Sequence, residues 1–134
     1  MELKPEPFLI DLASIGEPAL GYVSIAQSPD VPFAIKRVYW TYYTPNGITR
    51  GHHAHKKLQQ IICAVSGSIK FHFENKAGRK FDFLLDHPSK ALYVPAGFWR
   101  TIELSHNAVL LCLASEEFTE SDYIRDYDVF KNGK

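Results

Sequence analysis

Three histidines fall within Gly51-His52-His53-Ala54-His55-Lys56-Lys57-Leu58-Gln59-Gln60, directly ahead of the apolar run Ile61-Ile62-Cys63-Ala64-Val65. Imidazole both takes and returns a proton near neutral pH, with an ordinary pKa of about 6.5, and it is also the commonest metal ligand. The β-branched and aliphatic residues that follow end at Ser66-Gly67-Ser68. They predict a buried strand entered from a polar, glycine-bounded loop, with the histidines as strand residues. Side chains alternate faces along a strand, so His53 and His55 point one way while His52 and Ala54 point the other. Two imidazoles on one face suggest a site for a metal or for proton transfer. His72, His87 and His106 have no such partner and read, with His52, as structural or exposed.

The elements that must position these residues read as short strands. Phe8-Leu9-Ile10-Asp11-Leu12 and Ala19-Leu20-Gly21-Tyr22-Val23-Ser24-Ile25 are separated by Ser14-Ile15-Gly16-Glu17-Pro18, and Ser28-Pro29-Asp30-Val31-Pro32 is the next break. The β-rich run Phe33 to Tyr43 follows, with Arg37, Tyr39 and Thr41 on one face and Lys36, Val38 and Trp40 on the other. Beyond the histidines, Ile69 to Phe73 and Lys80 to Leu85 flank a turn at Asn75-Lys76-Ala77-Gly78 and read as a hairpin, with His72 on its wetter side. Ala91 to Val94, Thr101 to Leu104 and Ala108 to Ala114 complete the set, with an aromatic turn at Pro95-Ala96-Gly97-Phe98-Trp99-Arg100. Regular short strands with turn signals and almost no helical periodicity predict an all-β sandwich or barrel. Thr119-Glu120-Ser121-Asp122 is a helix-start signal, so one short C-terminal helix or turn is expected there.

The bulk composition narrows the search to local sites. A chain of 134 residues suits one domain, 1–134, with a core of its own. Fifteen basic residues balance fifteen acidic ones, so no overall field draws the chain to nucleic acid or to an acidic membrane. Cys63 and Cys112 lie inside apolar runs, where a free thiol behaves as a small hydrophobe. No segment reaches the length of a membrane span, and the reducing cytoplasm is the expected compartment.

The residues also carry a resemblance. Gly47, five residues, His53-Ala54-His55, four residues, Gln60, six residues and Gly67 resemble the first cupin motif, with Gln60 where the family usually has Glu. Pro95-Ala96-Gly97-Phe98-Trp99-Arg100 resembles the second, with Arg100 where a metal-binding cupin has its last His. Two neutral nitrogens and an amide fall short of the usual three- or four-ligand transition-metal set, so a metal-independent cupin is expected. Within the cupins, the runs Phe33 to Tyr39, Arg50 to Leu58 and Asp122 to Tyr127 resemble the dTDP-4-keto-6-deoxyglucose 3,4-ketoisomerases. That resemblance implies a double-stranded β-helix, or jelly roll, and a homodimer in which strands within about residues 1–28 reach the partner. It implies a dTDP-linked 4-keto-6-deoxy sugar as substrate, no cofactor, and a role in making 3-amino-3,6-dideoxyhexoses for polysaccharides.

By the same resemblance His53 moves the carbon proton, with His55 beside it, and Tyr39 handles the proton exchanged between the sugar oxygens. Arg37, Arg50, Lys56, Arg100 and Arg125 are the candidate donors to the diphosphate and to the developing enediolate, because guanidinium groups pair well with phosphate and fixed donors stabilise oxyanions. Gln60 joins the substrate-binding set, and Trp99 or a tyrosine offers a face on which thymine stacks. Three other functions compete: a nucleotide-sugar 3,5-epimerase, a metal cupin such as a dioxygenase, which Gln60 and Arg100 oppose, and a non-catalytic sugar-binding cupin.

Overall fold

The computed structural model describes residues 6–133. In chain order the elements are β1 (Phe8–Asp11), β2 (Ala13–Glu17), β3 (Gly21–Ile25), β4 (Arg37–Tyr42), β5 (Thr49–His55) and β6 (Gln60–Ser66). After them come β7 (Ile69–Glu74), β8 (Lys80–Leu85), β9 (Lys90–Val94), β10 (Trp99–Leu104), β11 (Val109–Ala114), β12 (Tyr123–Ile124) and one helix, α1 (Tyr127–Asn132). Two five-stranded sheets, ordered β1-β9-β6-β11-β4 and β12-β5-β10-β7-β8, face each other, and among the described residues β2 and β3 pair only with one another. Every pairing is antiparallel. This is the all-β cupin jelly roll expected from the sequence, with its short C-terminal helix.

Alternation explains how the core closes. In β7 the buried Ile69, Phe71 and Phe73 alternate with Lys70, His72 and Glu74, and in β11 Leu110, Cys112 and Ala114 are buried. Phe71 and Phe73 stack with ring centroids 5.8 Å apart and meet Leu58, Ile62, Leu92, Val94, Phe98 and Ile102 between the sheets. Each such side chain contributes roughly 1.5–3 kcal/mol by leaving water. β4 inverts the usual arrangement: its inward face carries Arg37, Tyr39 and Thr41, while Val38, Trp40 and Tyr42 are exposed outside. A polar face turned into a barrel must be hydrogen-bonded or must line a cavity.

Four sequence expectations are corrected. The histidine segment and the apolar run form two strands, β5 and β6, rather than one, because the intervening amides find partners off the ladder. Lys56 donates to the Asp122 carbonyl at 2.9 Å, Lys57 to the Asp122 carboxylate at 2.7 Å and Gln59 to Ser115 Oγ at 2.8 Å. Residues 14–17, read as a separator, belong to β2, where Gly16 lies so near Gly21 that a Cβ would sit 2.0 Å from the Gly21 carbonyl oxygen. The run beginning at Phe33 becomes strand only at Arg37. The tail helix starts at Tyr127, with Asp126 accepting from the Val129 amide at 3.0 Å. At Thr119 there is only a single 3₁₀ turn, since the threonine hydroxyl bonds Ser121 Oγ and no backbone amide. Part of the segment 1–28, residues 1–5, lies outside the described residues.

Candidate active site

A cavity of about 410 Å³ opens between β4, β5, β10 and the tail. β4 contributes Arg37, Tyr39 and Thr41, β5 contributes Arg50, Gly51 and His53, and the tail contributes Phe118, Tyr123 and Arg125; Ile102, Leu104 and Leu110 form apolar wall. The period-two alternation of β4 and β5 puts these residues there, as read from the sequence.

His53 Nδ1 lies 2.9 Å from the Gly51 carbonyl oxygen. A carbonyl only accepts, so Nδ1 carries the proton and Nε2 keeps the lone pair. Burial, and then the Arg100 guanidinium, lowers the His53 pKa to about 4, so the ring is neutral throughout the physiological range. The carbonyl that fixes this tautomer sits on a strained backbone. Gly51 has φ +95° and His52 φ +58°, where the β5–β10 register shifts beside Arg100. A Cβ on Gly51 would meet the Arg100 carbonyl oxygen at 2.9 Å and Arg100 Cγ at 3.3 Å. Gly51→Ala is therefore expected to destabilise the protein by about 1–3 kcal/mol, read by denaturant unfolding, and to lower turnover by tilting His53.

His55 is 1 % exposed and packs edge-on to His53 with centroids 4.8 Å apart. Its Nδ1 donates to the Asp122 carboxylate at 3.1 Å, and that carboxylate also accepts from the Lys57 amide. Burial, reinforced by Arg100, holds His55 neutral, well below its ordinary range. Tyr123 lies against both imidazoles, 5.0 Å from His53 and 4.5 Å from His55, because β12 pairs Tyr123 with His55.

Tyr39 accepts a 2.9 Å hydrogen bond from Gln60 Nε2 on its hydroxyl, and burial raises its pKa far above the usual phenol range, so it is a neutral O–H. Gln60 and Arg100, 2 % and 1 % exposed, lie behind it, with Arg100 Nη1 donating to Gln60 Oε1 and Nη2 to the Phe98 carbonyl at 3.2 Å. Arg100 is buried on β10, and neither it nor Gln60 lines the cavity. A buried guanidinium with amide and imidazole neighbours is a poor host for a metal cation, and no group of three or more His, Cys, Asp and Glu side chains gathers for one among the described residues.

The cationic wall is Arg37, Arg50 and Arg125. The Arg37 guanidinium sits between the Tyr39 and Phe118 rings, 5.3 and 5.7 Å from their centroids, and its buried Nε has no protein partner. Arg125 lies 4.2 Å over Tyr123 and pairs with Glu120 at 2.9 Å in the open.

Of the expected residues, His55, Gln60 and Arg100 lie behind the cavity lining, and two more, Lys56 and Trp99, are elsewhere. Lys56 follows the end of β5 and lines a neighbouring hollow with Lys36 and Lys57. Trp99 is next to the inward Arg100 on β10 and so faces outward, where it packs on Tyr127 and Phe130 of α1 at 5.4 and 5.9 Å. The exposed aromatic at the cavity mouth is Phe118, which the sequence reading did not single out, as it also missed Tyr123 and the buried Asp122. The similarity of the run Asp122 to Tyr127 was the available signal for the last two.

The family model described as FdtA: WxcM-like, C-terminal, matches residues 6–134. The chain belongs to that family. Among its relatives, the TDP-4-oxo-6-deoxy-alpha-D-glucose-3,4-oxoisomerase of Aneurinibacillus thermoaerophilus is 38 % identical over 110 residues, 81 % of this chain and 78 % of that protein. The crystal structure of QdtA, a sugar 3,4-ketoisomerase from Thermoanaerobacterium thermosaccharolyticum in complex with TDP, has a TM-score of 0.88 and 36 % identity over 95 % of this chain and 93 % of that one. The TDP-quinovose 3,4-ketoisomerase WlaRB of Campylobacter jejuni has a TM-score of 0.86 and 33 % identity over 93 % and 96 %. In this member of the FdtA family, the tail that completes the cavity lies inside the matched region.

Proposed function

We propose that the chain is a 3,4-ketoisomerase of a dTDP-linked 4-keto-6-deoxyhexose, working by proton transfer through an enediol. The observation that carries the chemistry is the fixed tautomer of His53, which leaves Nε2 as a base on a residue that lines the same cavity as Tyr39. The names of the relatives support the reaction and the nucleotide.

His53 Nε2 takes the proton from C3 of the sugar. The C–H electron pair forms a C3=C4 bond, and the C4 carbonyl oxygen becomes an enediolate oxygen that the Tyr39 O–H faces. Tyr39 gives its proton to O4 and takes the one on O3, so the two oxygens exchange roles. The imidazolium then returns its proton to C4, which leaves the ketone at C3 and the base restored. His55, tied by Asp122, packs against His53 and fixes the plane in which it works. Arg37, Arg50 and Arg125 take the diphosphate, and Phe118 offers the base an exposed face at the mouth.

Two further readings belong to this proposal. The protein works as a homodimer: the β2–β3 hairpin displays Ile15, Leu20, Tyr22 and Val23, and the outer side of β4 displays Val38, Trp40 and Tyr42, apolar surface of the kind that a second copy covers. Its compartment is the cytoplasm, which suits two buried unpaired thiols and a product destined for 3-amino-3,6-dideoxyhexose synthesis.

One NMR experiment tests the function. With dTDP-4-keto-6-deoxyglucose in deuterated water, a carbonyl that moves to C3 supports the ketoisomerase, with deuterium at C4 in the fraction of turnovers in which the imidazolium exchanges with solvent. An inverted C3 or C5 centre with the ketone still at C4 makes the protein an epimerase, and binding without turnover or exchange makes it a sugar-binding cupin. The pH profile is a second expectation. Because the His53 pKa is lowered to about 4, kcat/KM should hold as pH falls through the ordinary histidine range and decline only near 4. Bound diphosphate is anionic and favours the imidazolium, so the acid limb of kcat should lie at higher pH than that of kcat/KM.

A further inference from the structure

Gln60 stands at the cupin position that usually carries a carboxylate, yet it touches neither the cavity nor solvent. Its amide is held in one orientation. Oε1 must accept from Arg100, because a guanidinium only donates, and flipping the amide would set N–H against N–H. Nε2 is therefore directed at the Tyr39 oxygen, 2.9 Å away, and at Cys112 Sγ, 3.4 Å away. The Tyr39 oxygen is thus an acceptor on its buried side, so its own proton points to Cys112 or into the cavity.

Arg100 is anchored in turn by the Phe98 carbonyl and lies 5.7 Å over the Phe73 ring. A fully buried cation donating to an amide oxygen polarises that amide, and the polarised N–H becomes a better donor to the phenol oxygen. The effect is largest when that oxygen carries negative charge, as it does once Tyr39 has given its proton to the sugar.

The geometry points to Gln60 as a positioning residue for the reaction. Anchored by Arg100, it turns the Tyr39 O–H toward the substrate and steadies the phenolate formed in passing, without touching the sugar nucleotide. This rests on the Tyr39 role proposed above. It also reassigns Gln60 and Arg100 from substrate binding to the chemical step.

The test is a double-mutant cycle of Gln60→Glu and Tyr39→Phe, read by kcat and KM separately. Gln60→Glu keeps the shape but replaces the donor with a carboxylate that accepts from Tyr39 and draws its proton away from the cavity. The expected result is a loss of roughly 10-fold to 100-fold in kcat, the size of one inverted charged hydrogen bond, with KM changed by less than about three-fold. In the Tyr39→Phe background the same substitution should cost almost nothing, because the group it acts through is gone. An equal loss in both backgrounds, an unchanged kcat, or a raised KM with kcat intact would overturn the inference. Should Tyr39→Phe alone leave kcat unchanged, the fault lies in the Tyr39 assignment itself, and the two failures are told apart. If Gln60→Glu does not fold, the paired change Gln60→Met/Arg100→Met removes the buried polar couple with apolar side chains, a replacement that cores often accept. Because Arg100 also bears on the His53 pKa, that pair carries a loss in both backgrounds, and the expected result is a kcat loss larger by the same roughly 10-fold to 100-fold factor with Tyr39 present than in Tyr39→Phe.

Discussion

His53→Asn is expected to lower turnover by about 100-fold to 10,000-fold and to stop deuterium entering the product, while the Kd for TDP stays within a few-fold of the parent. Asparagine keeps a polar side chain that still donates to the Gly51 carbonyl, so the local hydrogen bond survives and only the basic nitrogen is lost. No neighbour can substitute. His55 has the same tautomer but is 1 % exposed and lies outside the cavity lining, and Tyr39 stays a protonated phenol at any working pH. An enzyme that kept normal turnover after this change would place the carbon acid–base group elsewhere. Isothermal titration with TDP and single-turnover NMR in deuterated water give the two halves of the comparison.

Arg37→Met is expected to do the reverse, weakening TDP and substrate binding by roughly 10-fold to 150-fold with a smaller change in kcat. The choice of Arg37 over the other arginines follows from its surroundings. Its Nε is buried without a protein partner, as is that of Arg100, but Arg37 also lines the cavity, so its terminal N–H groups are the ones a diphosphate can meet in a water-poor setting. Arg125 is exposed and already paired with Glu120, and an open pair of that kind contributes little. Methionine preserves the packing between Tyr39 and Phe118, so lost affinity reports the guanidinium and not a collapsed wall. Titration of the variant with TDP alone and then with the sugar nucleotide measures it. An unchanged Kd for TDP would move the diphosphate to Arg50 and Arg125.

How much of this was legible beforehand depends on the range of the interaction. That His53 and His55 share a face, and that Arg37, Tyr39 and Thr41 share another, follows from strand periodicity alone, and the structure brings both faces to one region. Trp99 failed for the same reason that the others succeeded: one step along β10 from an inward Arg100, it must face out. Lys56 failed because the strand ends at His55, and what ends it is Asp122, 67 residues from the histidine it holds. Phe118, Asp122 and Tyr123 enter through that distant pairing, which no local pattern encodes. Gln60 and Arg100 were visible as departures from a metal-binding pattern, but a list of departures does not say that the two side chains bond each other.

The pairing of β12 with β5 has a bearing on how firmly the site is held. Two ladder positions, Tyr123 opposite His55 and Ile124 opposite Ala54, hold the tail to the barrel at an edge. A two-residue edge pairing opens at lower free energy than the longer ladders of the core strands. The barrel therefore stays whole when the tail lifts, and the corner that holds His55 is less securely closed than the sheets behind it.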